Sequence, residues 1–325
     1  MLISVIIPVY NVKDYLNDCV ASVLKNSFND YEIILVDDGS TDGVSGQLCD
    51  EIASGHPELI RVIHQENKGL GGARNTGIVN ALGDYLLFLD SDDSITDDTL
   101  PLLAEKITSS GADIIAFNFN NVYPDGSKVP VSANYIQPSE AFKLSEHTEY
   151  LLSLPTACGR VWKKTLFTES GIEFPSKVWY EDIRTTTKLF ALAGSILTIP
   201  DALYIYYQRN DSIMHTPNIL RNREIIDAFD DILVWFKGNG MYEEYKDVLC
   251  QLAIDNVYVA ASVRVLREDT KHPLLCEFSQ YMDNNFPGYQ NSPYIAKLPK
   301  MKKLAYKLLR GKHYKLLALL FKIKG

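Results

Sequence analysis

The sequence predicts an α/β protein in which a doubly wound, mixed sheet is followed by a helical C-terminal region. Three observations support this: short apolar strands alternate with helical patterns over residues 1–100, acid-rich clusters follow the strand ends, and residues beyond 217 have helical spacing. Strands that alternate with helices form parallel sheets with right-handed crossovers. We therefore expect a domain over 1–217, divided near residue 100, and a helical region over 218–325.

The first hundred residues contain four predicted strands and three predicted helices. The first strand, 3–7, is apolar on both faces, as is typical of a strand buried in a parallel sheet. We place Asn11 at the N-cap of the first helix, because the apolar residues after it recur three and four positions apart. The other strands are predicted at 31–36, 60–64 and 85–89, and the helices at 12–24, 44–54 and 71–81.

The rest of the chain changes from mixed to helical patterning. Strands are predicted at 112–123, 129–136 and 202–207, with helices at 138–154 and 183–192. Beyond residue 217, helices are predicted at 225–236, 242–266 and 274–284, and a last one at 296–323. One face of each of these helices carries the apolar residues, which predicts a packed helical region.

The formal net charge of −9 hides a division between an acidic body and a basic tail. Residues 297–325 carry ten Lys or Arg and no Asp or Glu, so the other 296 residues sum to −19. An acidic body argues against nucleic-acid binding, which needs clustered basic side chains. The tail, 296–325, has the pattern of an amphipathic helix that lies on an anionic membrane surface. The alternative is a helix docked against the acidic body or against a second copy in a homodimer.

The cysteines and the N-terminal sequence indicate the compartment in which the protein is expected to reside. The five cysteines are scattered without a CxxC pair, which predicts buried, reduced thiols rather than a zinc or redox site. The N-terminus has no signal-peptide pattern, and no stretch approaches the roughly 20 apolar residues of a membrane span. These features predict a cytoplasmic protein, with peripheral contact at the inner face of the cell membrane through the tail.

The fourth predicted strand ends in an acidic cluster that includes Asp90, Asp92 and Asp93. Hard divalent cations such as Mg²⁺ or Mn²⁺ bind one or two carboxylates together with substrate phosphates. Alternate residues of an extended segment point the same way, so Asp90 and Asp92 can face one ion. The alternative is an acidic cap for the next helix, a role that Asp97 and Asp98 already supply.

A glycine-rich segment, 67–77, follows the third predicted strand. Its match to a dinucleotide fingerprint is weak, because that motif follows the first strand of its unit. The glycines still permit close approach of a ligand to the backbone. Arg74 within the segment is suited to pair with a base or phosphate. The alternative is a tight turn that carries a surface arginine.

Four blocks in this order resemble the family 2 glycosyltransferases of the GT-A, Rossmann-like fold: VIIPVYN, VDDGSTD, ENKGLGGARNTG and FLDSDD. Later segments continue the resemblance to about residue 216: WKKTLF, GIEF, YED and RNDSIM. The resemblance implies roles for individual residues. Nucleotide contacts are implied for Pro8, Val9, Tyr10, Asp38, Asn67, Lys68, Arg74, Asp90, Ser91, Arg209 and Ser212.

The resemblance also implies a metal site and a catalytic pair. Asp92 is expected to ligate Mn²⁺ or Mg²⁺, with Asp90 and His215 as further candidates. Asp182 is expected to be the general base, and Glu181 to orient the acceptor or the base. An acidic helix cap is the structural alternative for this pair, because helix N-termini favour carboxylates.

The predicted function is therefore inverting, metal-dependent transfer of a hexosyl or N-acetylhexosaminyl group. The expected donor is a nucleotide sugar, with UDP-sugar favoured, and the expected acceptor is a glycan, lipid-linked or protein-linked saccharide of surface polysaccharide or glycoconjugate synthesis. One alternative is a sugar nucleotidyltransferase, which would carry a glycine- and lysine-rich loop where this chain has PVYNVKDY. Another is a non-catalytic nucleotide-binding scaffold, which the presence of Asp92 and Asp182 disfavours.

Overall fold

The structure is a computed structural model that describes residues 1–209 and 219–322, with side chains through residue 320. The chain divides into two compact units, Met1–Ser212 and Ile213–Gly325, which we call the N-terminal and C-terminal units.

The N-terminal unit is built on a mixed sheet, as the sequence predicts. Its strands are β1 Ile3–Val9, β2 Tyr31–Asp37, β3 Ile60–His64, β4 Tyr85–Phe88, β5 Ser94–Ile95, β6 Ile114–Val122, β7 Lys128–Val131, β8 Arg160–Lys163 and β9 Ile196–Tyr207. Within the described residues the strand order is β3-β2-β1-β4-β8-β6-β9-β5, with β7 beside β6. The first four strands are parallel, so their carboxyl ends lie at one edge.

Helices cover the sheet, and the core lies between the two layers. The helices of this unit are α1 Leu16–Leu24, α2 Ser45–Gly55, α3 Gly69–Asn80, α4 Thr99–Ser110, α5 Thr165–Thr168 and α6 Glu181–Leu192. Every residue of β1 and β2 is buried, including the polar Ser4 and Glu32, whose side chains are hydrogen-bonded to each other at 2.6 Å. Phe88, Phe167 and Phe174 pack together with centroid distances between 5.5 and 5.9 Å. This cluster ties β4 to the chain that leads into α6.

Two local predictions are wrong. The first helix begins at Leu16, and Asn11 is not its cap but adopts a left-handed φ of 55°. The helix predicted at 138–154 reduces to a 3₁₀ turn at Thr148–Leu152. Phe142 instead exchanges two backbone hydrogen bonds with Ile196, which holds the chain extended beside β9. Tertiary pairing therefore overrides a helical apolar pattern in this segment.

The C-terminal unit is helical throughout its described part. Its helices are α7 Glu224–Gly238, α8 Tyr242–Ala253, α9 Ser262–Glu268, α10 Leu274–Asn285, α11 Tyr294–Lys297, α12 Lys300–Arg310 and α13 Tyr314–Lys322. A π-helical segment, Ile254–Ala261, joins α8 to α9 without a break. Among the described residues, the combined helix Tyr242–Glu268 has the length and composition of a membrane span, but 72% of its most apolar window is buried. A buried core helix meets the same criteria, so these properties do not identify a span.

Within its described residues, the basic tail is not the single predicted helix but contains the end of α11, then α12 and α13. The chain leaves the helical conformation at Leu298 and Pro299, and again between α12 and α13, where Lys312 has a left-handed φ of 55°. The apolar side of the tail packs inside its own unit through Ala305, Tyr306, Leu309, Leu317 and Ala318. Lys302 forms an ion pair with Asp255 of the π-helical segment at 3.4 Å. The tail is therefore docked on its own unit, the alternative that the sequence left open.

Candidate active site

The loop after β2 forms one side of the candidate site. Asp38 is 3% exposed, and its Oδ1 accepts hydrogen bonds from Gln65 Nε2 at 2.6 Å and from the Lys68 N–H at 2.7 Å. The carboxylate thus joins the end of β2 to the start of α3. The nucleotide contact expected of Asp38 stays a prediction.

Asn11 fixes this loop, a role that the sequence analysis missed. Its side-chain oxygen accepts hydrogen bonds from the N–H groups of Thr41 at 2.7 Å and Asp42 at 3.1 Å. Its own N–H donates to Ser40 Oγ at 3.2 Å. Asparagine tolerates the left-handed backbone better than most residues, which explains its place directly after β1. The loops after β1 and β2 are therefore held as one surface.

The remaining predicted nucleotide contacts differ in exposure. Pro8 and Val9 are buried inside β1, whereas Tyr10 is 46% exposed at its end. Asn67 is half-buried and Lys68 is exposed at the entry to α3. Their contacts with a nucleotide stay predictions, and the structure brings them to the same edge as Asp38.

Asp93, the third acid of the cluster after β4, supports the fold. It is 2% exposed and accepts hydrogen bonds from Tyr204 Oη at 2.7 Å and from the Tyr207 N–H at 3.1 Å. Burial, with the charges of Asp92 and Asp90 beside it, raises the pKa of Asp93 well above its usual range. Asp93 therefore anchors β9 beneath the site.

Asp90 and Asp92 remain accessible. Their side chains are 34% and 46% exposed, and Ser91 between them is buried. Among the described residues, no group of three or more His, Cys, Asp or Glu could hold a metal ion by itself. Two accessible carboxylates fit a hard cation that completes its shell with phosphate oxygens and water. Of the predicted contacts, His215 and Ser212 lie outside the described residues.

Arg74 is the centre of the site. Its side chain is 1% exposed, and its guanidinium donates to Asp182 Oδ1 at 2.6 Å and to Asp90 Oδ1 at 3.0 Å. Glu181 Oε1 lies 3.7 Å from the same nitrogen that binds Asp182. The structure thus shows a buried arginine among three carboxylates, and the nucleotide contact expected of Arg74 stays a prediction.

The acidic pair opens α6 in an unusual backbone setting. Tyr180, the residue before the pair, has a φ of 65°, which is costly for a bulky side chain. Burial, together with the charge of Asp182, raises the pKa of Glu181 to about 7 against the opposing effect of Arg74. Burial also raises the pKa of Asp182, while Arg74 lowers it. Near neutral pH, Glu181 and Asp182 together therefore retain one shared proton more often than two solvent-exposed carboxyl groups would.

A second buried arginine supports Asp182 from the other side. Arg160 is fully buried and donates hydrogen bonds to the carbonyl oxygens of Leu154 at 2.9 Å and Thr156 at 2.8 Å. This shapes the turn in which the Ala157 N–H donates to Asp182 Oδ2 at 3.2 Å. Both oxygens of Asp182 are thereby oriented. Sequence reasoning missed Arg160, because its acceptors are backbone carbonyls and leave no motif.

Arg209 covers Asp92. Its guanidinium donates to Asp92 Oδ2 at 2.8 Å, and it also binds the Asp92 carbonyl oxygen. The guanidinium carbon lies 3.6 Å from the ring centroid of Tyr15, a cation–π contact. A cavity of about 380 Å³ opens beside it, lined by Tyr15, Val122, Tyr123, Pro124, Tyr207, Gln208 and Arg209. A cationic side chain therefore borders the carboxylate expected to meet a diphosphate.

The chain is similar in sequence to known proteins. The model of the family described as "Glycosyl transferase family 2" matches residues 4–169. The glycosyltransferase GlyG of Streptococcus pneumoniae serotype 4 is 35% identical over 241 residues, which cover 70% of this chain and 78% of that protein.

A second relative is known from solved structures. Poly(ribitol-phosphate) beta-N-acetylglucosaminyltransferase TarS of Staphylococcus aureus is 27% identical over 250 residues, which cover 76% of this chain and 42% of that protein. The crystal structure of its residues 1–349 with UDP has a TM-score of 0.72 at 20% identity, covering 100% of this chain and 92% of that one. A complex of the same fragment with UDP-GlcNAc gives 0.67 at 21% identity. These likenesses show a shared fold.

Proposed function

This chain belongs to glycosyl transferase family 2, and on that premise we propose that it transfers a sugar from a UDP-sugar to a saccharide hydroxyl with inversion at the anomeric carbon. It is a glycosyltransferase of GT-A fold that acts on a nucleotide sugar. Family membership sets aside the sugar nucleotidyltransferase and the non-catalytic scaffold. The UDP specificity, the inversion and the saccharide acceptor are the proposed part.

One observation carries the proposal: the shared contact of Arg74 with Asp90 and Asp182. Asp90 lies two residues after β4, and Asp182 is the second residue of α6. A single guanidinium holds both carboxylates at hydrogen-bond distance. This supports our proposal that donor and acceptor meet beside these two carboxylates, with Asp182 as the base that general-base catalysis requires.

The proposed reaction follows from these positions. The acceptor hydroxyl gives its proton to the Asp182 carboxylate as its oxygen forms a bond to the anomeric carbon. The bond between that carbon and the diphosphate oxygen breaks, and the nucleoside diphosphate leaves. The raised pKa of Glu181 keeps this neighbour able to donate a hydrogen bond to the acceptor near neutral pH. A divalent cation held by Asp92 and Asp90 would supply Lewis-acid stabilisation of the leaving diphosphate.

The relatives support the finer parts of the proposal. TarS binds UDP and UDP-GlcNAc in structures that share this fold, and its name specifies a beta-linked product. UDP-GlcNAc carries its sugar in the alpha configuration, so a beta product means inversion.

A thermal-shift panel tests the donor assignment. The full chain is heated with UDP, GDP, CDP and dTDP sugars, each with and without Mn²⁺. A bound donor stabilises the folded state by RT ln(1 + [L]/Kd), so a UDP-sugar at 100 times its Kd contributes about 2.7 kcal/mol. We expect the largest rise in Tm with a UDP-sugar. A larger rise with another nucleotide would contradict the UDP assignment.

Arg209→Ala should weaken donor use. Its guanidinium lies beside Asp92, which supports our proposal that it binds the diphosphate, and one lost charge-assisted hydrogen bond costs about 1.5–3 kcal/mol. We therefore expect the donor KM to rise roughly 10- to 100-fold. Arg267→Ala removes an exposed arginine of the C-terminal unit and is the control. An unchanged donor KM in Arg209→Ala would refute this role.

We also infer that the tail contacts an anionic membrane surface, although its apolar side is docked. The tail still exposes Met301, Leu304, Leu316 and Leu319, which are 38–54% exposed, among its lysines. Ten basic residues without an acid give the charge complementarity that anionic lipid headgroups require. A membrane contact would bring the N-terminal unit to lipid-linked acceptors.

Reversing exposed tail charges should release the protein from vesicles. Lys300, Lys307 and Lys315 are exposed, and each basic residue near an anionic surface contributes about 1 kcal/mol. Changing all three to Glu should lower partition onto vesicles with phosphatidylglycerol about a hundredfold or more. The control changes the exposed Lys25, Lys128 and Lys143 of the N-terminal unit to Glu, with the same change in net charge. Equal loss in both variants, or no binding by the wild type, would contradict the inference.

A further inference from the structure

The loop over residues 173–177 is bound to α3 by one asparagine. Asn75 Nδ2 donates to the Phe174 carbonyl oxygen at 2.7 Å, and the Phe174 N–H donates to Asn75 Oδ1 at 2.9 Å. Both halves of one amide thus bind the backbone of one residue. Such a reciprocal pair fixes position and direction together, because shifting the loop by one residue would break both bonds.

The glycines of α3 let this loop lie directly on the helix backbone. A Cβ on Gly71 would overlap the Pro175 carbonyl oxygen and approach Phe174 Cβ to 3.1 Å. A Cβ on Gly72 would come within 3.1 Å of Ser176 Oγ. The glycine-rich segment therefore seats a protein loop on this face of the helix. This explains why the segment contains glycines without matching a phosphate-binding fingerprint.

The same loop leads into the acidic pair. Thr185 Oγ1 of α6 donates to the Glu173 carbonyl oxygen at 3.3 Å, so the start of the loop is also tied to the helix that carries Asp182. Arg74, the residue before Asn75, binds Asp182 itself at 2.6 Å. Consecutive residues of α3 thus hold the base and the loop that precedes it.

We propose that Asn75 is a positioning residue for the transfer reaction. By fixing loop 173–177 against α3, it sets where α6 begins and so keeps Asp182 within reach of Arg74 and Asp90. Both halves of its side-chain amide are used by the backbone of Phe174, so it acts through the loop. This inference rests on the proposed role of Asp182 as the general base.

Two independent substitutions perturb the same contact. Asn75→Ala removes both hydrogen bonds, and Gly71→Ala places a methyl group against the Pro175 carbonyl. Each has a matched control. Asn80→Ala removes an exposed amide that bonds only to Thr76 of its own helix, and Gly55→Ala adds a methyl group that meets nothing within 4 Å.

The measurements are kcat, the Kd for UDP, and hydrogen exchange of peptides over 171–182. Misplacing a catalytic group by about 1 Å can cost about a hundredfold in rate. We expect kcat to fall roughly 10- to 100-fold in Asn75→Ala and Gly71→Ala, with exchange of 171–182 accelerated and the Kd for UDP within twofold of wild type. Both controls should behave as wild type. If Asn75→Ala fails to fold, Gly71→Ala carries the test.

Faster exchange with an unchanged kcat would show a merely structural contact and overturn the proposal. A Kd for UDP that weakens as much as kcat falls would assign the loop to donor binding and overturn it as well. Asp182→Asn separates this outcome from failure of the proposed function. If Asp182→Asn retains transfer, the base assignment fails; if it loses transfer while the Asn75 and Gly71 variants keep it, only the positioning role fails.

Discussion

Asp182→Asn should lower kcat by about 10²–10⁴-fold while leaving the Kd for UDP unchanged. An amide cannot accept the proton of the acceptor hydroxyl, whereas the nucleotide contact predicted for Asp38 would be made from another loop, the one after β2. The amide oxygen can still accept a hydrogen bond from Arg74 or from the Ala157 N–H, so the helix start should persist. Steady-state transfer assays and calorimetric UDP titration measure the two effects separately.

The control for this variant is Asp84→Asn, which makes the same chemical change at an exposed acid before β4. It should retain wild-type rates and UDP affinity. Transfer by Asp182→Asn within tenfold of wild type would remove Asp182 from the role of general base. An equally large loss of UDP affinity would instead place Asp182 in the donor site.

Arg74→Met should cause the largest loss of stability of any single change in the site. It leaves Asp90, Asp182 and Glu181 near one another without their buried cation. Removing one partner of a buried charge cluster costs about 3–5 kcal/mol, because the remaining charges stay desolvated. Arg267→Met, an exposed arginine in the C-terminal unit, is the control and should change little.

The pH dependence of the stability lost in Arg74→Met distinguishes the effect of the missing charge from the effect of the missing packing contacts. Folding raises the pKa of Glu181 to about 7, above the ordinary value of about 4.3, so the folded state binds the extra proton. The contribution of Glu181 to the free energy of unfolding is therefore fully present below about pH 4 and is lost as the pH rises through about 7. Without the guanidinium, the pKa of both carboxyls should rise further. The urea midpoint of Arg74→Met should thus recover towards wild type at pH 5.5 and fall most at pH 8; an equal deficit at both pH values would indicate packing alone.

The sheet could be predicted because the apolar runs in the sequence indicate which segments form buried strands. The apolar runs 3–7 and 33–36 lie within β1 and β2, and the predicted bounds of β3 agree with the structure. The predicted acidic clusters also lie where the strands end. These are local signals, since a strand's pattern and the residues after it occupy fewer than ten positions.

The role of Arg74 could not be predicted in the same way. Its partner Asp182 is 108 residues distant in the chain, and the pattern around either residue shows no trace of the other. An arginine beside glycines suggested a phosphate, but the glycines serve a close approach of Pro175. The prediction that Asn11 caps the first helix was wrong for a related reason. Its side chain instead binds the Thr41 N–H in the loop after β2.

We expect donor chemistry at this site to depend on Asp182. The most direct measurement is release of UDP from a radiolabelled UDP-sugar panel, including UDP-GlcNAc, by the wild-type chain and by Asp182→Asn at equal donor saturation. We expect the wild type to release UDP from at least one donor, and Asp182→Asn to bind that donor equally but release UDP at least a hundredfold more slowly. Equal release by both proteins would contradict the claim.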